Sequence, residues 1–474
     1  MWVVDVDVAK RALEIAKKLG AEAAEVFHGR SIFRAIDVEK DILKPQLSET
    51  EGIAIRVAKN KNISFSYTFD LGEEAITRTI KTAIRSAELK GEDPNYVGFP
   101  SFRSITSSHI SEDIQDIEIS QLGKIYDEIH GLLKEEKKVV LVGGGVTYIE
   151  GHYRILNTEG IDSVMEGNAI IVGAYALTRE IPPNHVYRFV VERKSDVEVN
   201  KIVDDILRKA ERITGCKDVS YVGEPEIIFA PQALGMMLTI FLRQVDASQI
   251  KVGMSPYTKE NLGQEIANKN LTIIDDPTNM KSLIPTEVDF EGVPAKRKPI
   301  VESGKLTTIL NDYYHAKLLN IEPSANAVRF SLFGMEDPVS IEPRISPWFI
   351  TFEGKEKPLD EIIGETRNGF LIENVMGVHQ ADPASGKFSV PALAVRIENG
   401  ELKYPVRKVM LSGMMRDILQ NVDVISKERE EQIFGDFPYL RTRGMKASAE
   451  KPPLGYRIKM KMANILLRLG VIKF

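Results

Sequence analysis

The chain has 474 residues, 43% hydrophobic and 27% charged, with a net charge of −6 and a single cysteine, Cys216. That length exceeds one ordinary core, so at least two domains are expected, and the composition lies well outside the disordered regime. The mild acidity gives no global pull toward nucleic acid, so no direct nucleic-acid binding is expected, and one thiol excludes an intrachain disulfide, which suits a reducing compartment. Asp5 and Asp7 stand where a signal peptide would carry basic residues, and no apolar run approaches the ~20 residues of a membrane span, so the expected location is cytoplasmic.

The first predicted element is an amphipathic helix over Val8–Leu19, with Asp7 as N-cap and Gly20 as stop. Residues 24–46 and 51–70 alternate apolar and polar side chains, with turns expected at Gly29 and at the Lys-Asn-Lys-Asn cluster 59–62. This predicts an antiparallel sheet covered on one side, with a helix over Leu71–Leu89 as the cover. A second amphipathic helix spans Ile117–Lys134. Strands return over 139–179. The triple glycine Gly143–Gly145 lacks the Lys-Ser/Thr of a phosphate loop and reads as a bulge or close backbone approach. A strand begins at His185, and a helix over Val197–Ile213 is expected, capped by Ser195 and ended by Gly215.

A polar turn at 218–224 sets the expected domain limits at 1–222 and 223–450. The strand Glu226–Ala230 then feeds a helix opened by Pro231, whose Leu234, Met237, Leu238, Phe241, Leu242 and Val245 form a continuous apolar stripe. Its polar residues are Thr239, Arg243 and Gln244, and it has no His and no acid before Asp246. Next come a strand ending at Asp275-Asp276-Pro277, a hairpin turning at Glu302-Ser303-Gly304 and a short helix over Asn311–Leu319 carrying His315. From Trp348 the pattern is again β, with Asn399-Gly400 a strong hairpin signal, and a last helix lies within Lys408–Val422. The fold class is therefore α+β, two domains, each an antiparallel sheet with packed helices. The tail 451–474 has six Lys or Arg, no acid, and Ile458, Met462, Ile465 and Leu469 on one helical face. It is expected to dock on its own domain or a second subunit in preference to a membrane surface.

No self-contained catalytic motif is present. The Ser385–Ser389 stretch fails as a phosphate loop because Ala381 and Phe388 replace the required Gly and Ser/Thr. Cys216 beside a helix end reads as structural. The seven histidines never pair at ligand spacing, and His315 and His379 read as polar-core or surface residues that could meet in space. Asp275-Asp276 and the run Glu287, Asp289, Glu291 either gather charge in a cleft or form turns.

Several blocks resemble one family. LTIIDDP, VDFEGVPAKRKPIVESGKL and NDYYHAKLLNIEPSANAVR, then GKFSVPALAVRIENGELKYPV and LSGMMRDIL, are similar to blocks of the TldD/PmbA proteins, once called modulators of DNA gyrase. The resemblance implies a dimerising two-domain α+β protein of cytosolic peptide or protein breakdown and maturation. Its TldD branch is a metallopeptidase with a His-Glu-x-x-x-His helix whose histidines bind zinc and whose Glu removes a proton from water. Thr239, Ile240 and Gln244 fall at those three positions here, so the chain resembles the PmbA branch, also called TldE. The resemblance then implies no catalytic residue and no cofactor in this chain, zinc only in a TldD-type partner, and a peptide substrate. Peptide-contacting positions carried over are Asp289, Glu291 and Gly292, Asn326 and Arg329, and Gly386 to Ser389, with His315 and His379 as further cleft candidates. The alternatives are a non-enzymatic regulatory or binding homodimer and an independent hydrolase with an unrecognised site.

Overall fold

A computed structural model describes residues 6–39, 42–330, 336–469 and 471–472. The expected cap Asp7 and residues 470, 473 and 474 of the tail lie outside the residues whose side chains are described. The chain begins with helix α1 (Val6–Lys18), followed by strands β1 (Ala23–Glu39), β2 (Ile42–Lys59) and β3 (Asn62–Thr68), then α2 (Glu73–Lys90) and β4 (Thr106–His109). After α3 (Ile119–Lys134) come β5 (Val139–Asn157), β6 (Asp162–Thr178), β7 (His185–Glu192) and α4 (Val199–Ile213). The strands form one sheet in the order β3-β2-β1-β5-β6-β4, with β7 beside β6, antiparallel except for β4 against β6.

Strand periodicity explains how this sheet is covered. In β1, β6 and β5 beyond residue 145, even-numbered residues face the helices: Ala24 and Val26 pack with α1 and α2, while Ile36, Val38, Val146, Tyr148, Ile170 and Val172 pack with α3 and α4. Odd-numbered Phe27, Tyr153, Ile155 and Met165 face the other way, onto Val288, Phe290, Val328 and Trp348 from the second half. The expected one-sided sheet is thus covered on both faces where the two halves meet. Gly29 is no turn: it pairs with Gly52 inside β1, where an added Cβ would lie 3.0 Å from Phe27 and Val339. The turn at Asn60-Lys61 is present, both residues having positive φ. The register shifts at Leu141–Gly143, and a Cβ on Gly144 (φ +146°) would lie 2.4 Å from the Gly173 carbonyl, so the glycine run is a bulge with close backbone approach. Ser195 is no helix cap: its N–H and hydroxyl both meet Asp113, and α4 starts after Glu198.

The second half opens with β8 (Tyr221–Gly223), β9 (Glu226–Phe229), α5 (Pro231–Gln244), α6 (Ala247–Lys251) and β10 (Leu271–Asp275). β11 (Lys298–Glu302) and β12 (Lys305–Leu306) form the expected hairpin, followed by α7 (Tyr313–Leu319), β13 (Ala327–Val328), β14 (Arg344–Ile345), β15 (Ile350–Gly354) and β16 (Glu356–Lys357). Then come α8 (Leu359–Glu365), β17 (Asn368–Val375), β18 (Lys387–Glu398), β19 (Glu401–Met414), α9 (Met415–Gln420), β20 (Val424–Gln432), β21 (Gly435–Thr442), β22 (Lys446–Ala449) and α10 (Leu454–Arg468). The main path of the large sheet is β12-β11-β10-β15-β21-β9-β17-β18-β19-β22-β8.

Asn399 and Gly400 turn β18 into β19 with positive φ, as expected. The helix expected within Lys408–Val422 is confined to α9, because Val409 and Leu411 alternate into the core as part of β19. Three strands follow it that the sequence pattern did not reveal. α5 lies on the large sheet and shares its core with Phe229, Phe370, Ile372 and Phe437. Across the junction of the two halves, Lys209 on α4 pairs with Glu430 at 2.7 Å and Arg212 with Glu373 at 2.6 Å.

Candidate functional site

The site is built around α5. Pro231 occupies its first turn, where the missing N–H leaves no bond unmade, and the stripe from Leu234 to Val245 is wholly buried. The opposite face presents Met236, Thr239 and Arg243 at i, i+3 and i+7, with Ile240 alongside. These four side chains, with Val378, His379, Ala381 and Pro383 from the turn after β17, line a cavity of about 360 Å³. His379 and Arg243 are exposed at it.

The polar groups of α5 are occupied in holding local structure. The Thr239 hydroxyl donates to the Met236 carbonyl at 2.7 Å. Gln244 is buried and its Nε2 donates to the Pro383 carbonyl at 3.2 Å, fastening the 381–386 turn to the helix end. Its Oε1 is buried without a hydrogen-bond partner. Gly386 has φ +73°, and a Cβ there would lie 2.6 Å from Gln244 Nε2, so glycine is needed for conformation and for space. Ser389 follows on β18, exposed.

These residues do not fit zinc. Ile240 has no donor atom, the Thr239 hydroxyl is spent on the backbone, and a neutral amide fixed to a carbonyl is a poor zinc ligand. Among the described residues no group of three His, Cys, Asp or Glu is arranged to hold a metal ion.

The remaining predicted cleft residues divide from this cavity. Asp289, Glu291, Gly292, Asn326 and Arg329 are all buried, at the seam between the two sheets, and present no open groove to a peptide. Arg56 holds Glu25 in a two-pronged pair (2.9 and 2.7 Å) and reaches Glu291 Oε1 at 2.7 Å. Burial works against its charge, but Glu25 and Glu291 outweigh that and raise its pKa. Glu291 Oε2 accepts the Tyr313 N–H at 2.8 Å. Asp289 accepts the N–H groups of Glu291, Val293 and Ala327, forming the turn that ends at Gly292 (φ +80°), while burial pushes its pKa up. Asn326 donates to Asp275, which also caps the Trp348 N–H and pairs with Lys298 at 2.9 Å. Arg329 lies 4.4 Å over the Phe27 ring, and burial lowers its pKa to about 9. Of the acids that read as a charged cleft, Glu291 reaches across the seam to Arg56 and Glu287 to His109 and Ser107, all of the first sheet, whereas Asp275 and Asp289 bind groups of their own half.

His315 bonds the N-capping Asp312 at 2.7 Å, and no hydrogen bond or ion pair among the described residues joins it to His379. Glu287 takes His109 and Ser107 as partners. Cys216 is held beside Asn184, and burial raises its pKa to about 11, so it stays a thiol. A separate cluster places His152 between Glu150 (2.8 Å) and Glu166 (3.1 Å). Burial alone would lower the His152 pKa, but the two carboxylates raise it to about 9. Sequence reading did not assign Met236, Val378 and Pro383 to a site. The i, i+3, i+7 spacing of Met236, Thr239 and Arg243 was available, whereas the turn facing it was not.

Residues 222–449 match the PmbA/TldA metallopeptidase C-terminal domain, and residues 24–87 match the PmbA/TldA metallopeptidase domain 1. The chain belongs to the PmbA/TldD family. It is 26% identical over 398 residues to a metalloprotease of Methanothermobacter thermautotrophicus, covering 80% of this chain and 82% of that protein. It is 23% identical over 394 residues to the metalloprotease PmbA of Escherichia coli O157:H7, covering 78% and 80%. The crystal structure of TldE from Thermococcus kodakarensis superposes with a TM-score of 0.84 at 22% identity, covering 93% of this chain and all of that one, so the fold is shared. No helix among the described residues is long and apolar enough to cross a membrane.

Proposed function

We propose that this PmbA/TldD family member is the TldE-type subunit of a two-component cytoplasmic metallopeptidase acting on peptides or proteins. In this reading it supplies architecture and a substrate-facing cavity, and a TldD-type chain supplies the zinc. One observation carries the proposal: α5 lines a cavity through Thr239 and Ile240, with Gln244 buried behind them, at the three positions where the resemblance places two zinc-binding histidines and a general base. Gln244 has a different task, holding the 381–386 turn through Pro383. What this chain's residues offer a peptide is an apolar wall from Met236, Ile240, Val378 and Pro383, a cation at Arg243 for a carboxylate, and an imidazole at His379 for hydrogen bonding.

The test is metal analysis of the purified protein, followed by peptide cleavage by the chain alone and mixed with a TldD-type partner. The expected result is no stoichiometric zinc, no cleavage alone, and cleavage by the mixture above that of the partner alone. Stoichiometric zinc with cleavage by the isolated chain would overturn the reading in favour of an independent hydrolase. A stable homodimer that ignores every TldD-type chain would instead make it a regulatory or binding protein.

A further inference from the structure

α10 lies beyond residue 449, where the matched family domain ends. Its attachment to the body is one-sided. Asn464 accepts the Ile181 N–H at 2.8 Å and donates to the Ile181 carbonyl at 2.6 Å, and Arg457 reaches Asp218 at 3.3 Å. Arg457, Met460, Asn464 and Leu467 form the half-buried face of the helix. At about 100° per residue, the stripe Leu454, Ile458, Met462, Ile465 and Leu469 falls on a different face, clear of the docked one. Those five side chains remain between 49% and 71% exposed. The Asn464 clamp fixes the helix rotation, so the stripe cannot turn inward without breaking both bonds to Ile181.

The same projection puts Lys461 and Arg468 along one edge of the stripe and Lys459 near the other, all exposed. From 451 to 469 the chain has no acid. An apolar strip edged by cations on both sides meets two demands at once, burial of the strip and neutralisation of the cations in the same plane. An anionic lipid surface satisfies both, with acyl chains under the stripe and headgroups at its edges. A second copy of α10 does not, because it would set cations against cations.

We propose that α10 is a membrane-surface helix that attaches this protein peripherally to anionic lipid. The experiment is flotation of the full-length protein with vesicles of phosphatidylcholine alone and of phosphatidylcholine containing about 30 mol% phosphatidylserine. The expected result is flotation with the anionic vesicles and roughly tenfold or more weaker partitioning to the neutral ones. The pair Lys459→Glu and Lys461→Glu should lose about tenfold or more, as should the pair Ile458→Glu and Met462→Glu, and added salt should weaken the wild type. Absence of flotation with anionic vesicles, or equal binding to both vesicle types, overturns the proposal. So does self-association that Ile458→Glu with Met462→Glu abolishes in a chain that never floats, which would make the stripe a protein contact.

Discussion

At the scale of single residues, the molecule separates side chains that hold the site from those that face it. Gln244 belongs to the first group. Gln244→Ala removes the bond to the Pro383 carbonyl and should cost about 1–2 kcal/mol, read as a lower urea midpoint. Arg56 has a larger role, because without it Glu291 loses its ion-pair partner and Glu25 keeps only Arg329 at 3.9 Å, while both stay buried. Arg56→Met should cost about 3–5 kcal/mol in equilibrium unfolding, and a change below about 1 kcal/mol would show that the seam is hydrated rather than dry. His152 makes stability depend on pH with a definite sign. Its pKa is raised from 6.5 to about 9, so the imidazolium's contribution is complete below pH 6.5 and is lost as pH rises through about 9. The urea midpoint of the wild type should therefore exceed that of His152→Gln at pH 6 by more than at pH 9.5, and equal gaps at both would refute the assignment. That α5 has no His and no acid stands in the sequence itself, since it concerns one helix alone. The burial of Glu291 was not legible, since its counter-charge Arg56 lies 235 residues away along the chain.

At the scale of elements, what could be read was whatever is decided locally. Pro231 and the apolar stripe announced α5. Asn60-Lys61, Ser303-Gly304 and Asn399-Gly400 announced their turns, because two successive positive φ values demand particular residues. β20 escaped notice for a physical reason: its Lys427–Gln432 stretch is polar, and its ladder with β21 is interrupted by a register shift, so no simple alternation survives. The bulge in β5 was also local, and it makes a sharp prediction. Gly144→Ala would bring a methyl group to 2.4 Å from the Gly173 carbonyl and impose an unfavourable φ. It should cost more than about 2 kcal/mol in thermal or urea unfolding, whereas Gly131→Ala in α3, where a Cβ meets nothing within 4 Å, should leave stability the same or slightly higher.

At the scale of the whole molecule, the two sheets do not stand apart. Phe290, from the second half, touches Phe27 and Tyr153 of the first sheet and stacks on Trp348 of its own half. With the Arg56–Glu291 pair beside it, this shared core should make unfolding one cooperative transition. Phe290→Ala should cost about 3–5 kcal/mol and split the calorimetric trace into two, whereas a single shifted peak would mean that the remaining contacts, the Arg56–Glu291 and α4 ion pairs among them, suffice to couple the halves. β3 pairs with β2 only from Ile53 onward, so among the described residues 42–52 pair on one side only, with β1. Such an uncovered margin invites strand-on-strand aggregation, and the exposed Ile42, Leu43 and Leu47 would add to the hazard. Pro45 removes a donor in mid-run, and Lys44 and Glu49 set charges on either side of it. Replacing these gatekeepers is therefore the change expected to turn a soluble preparation into fibrils while leaving the folded core untouched.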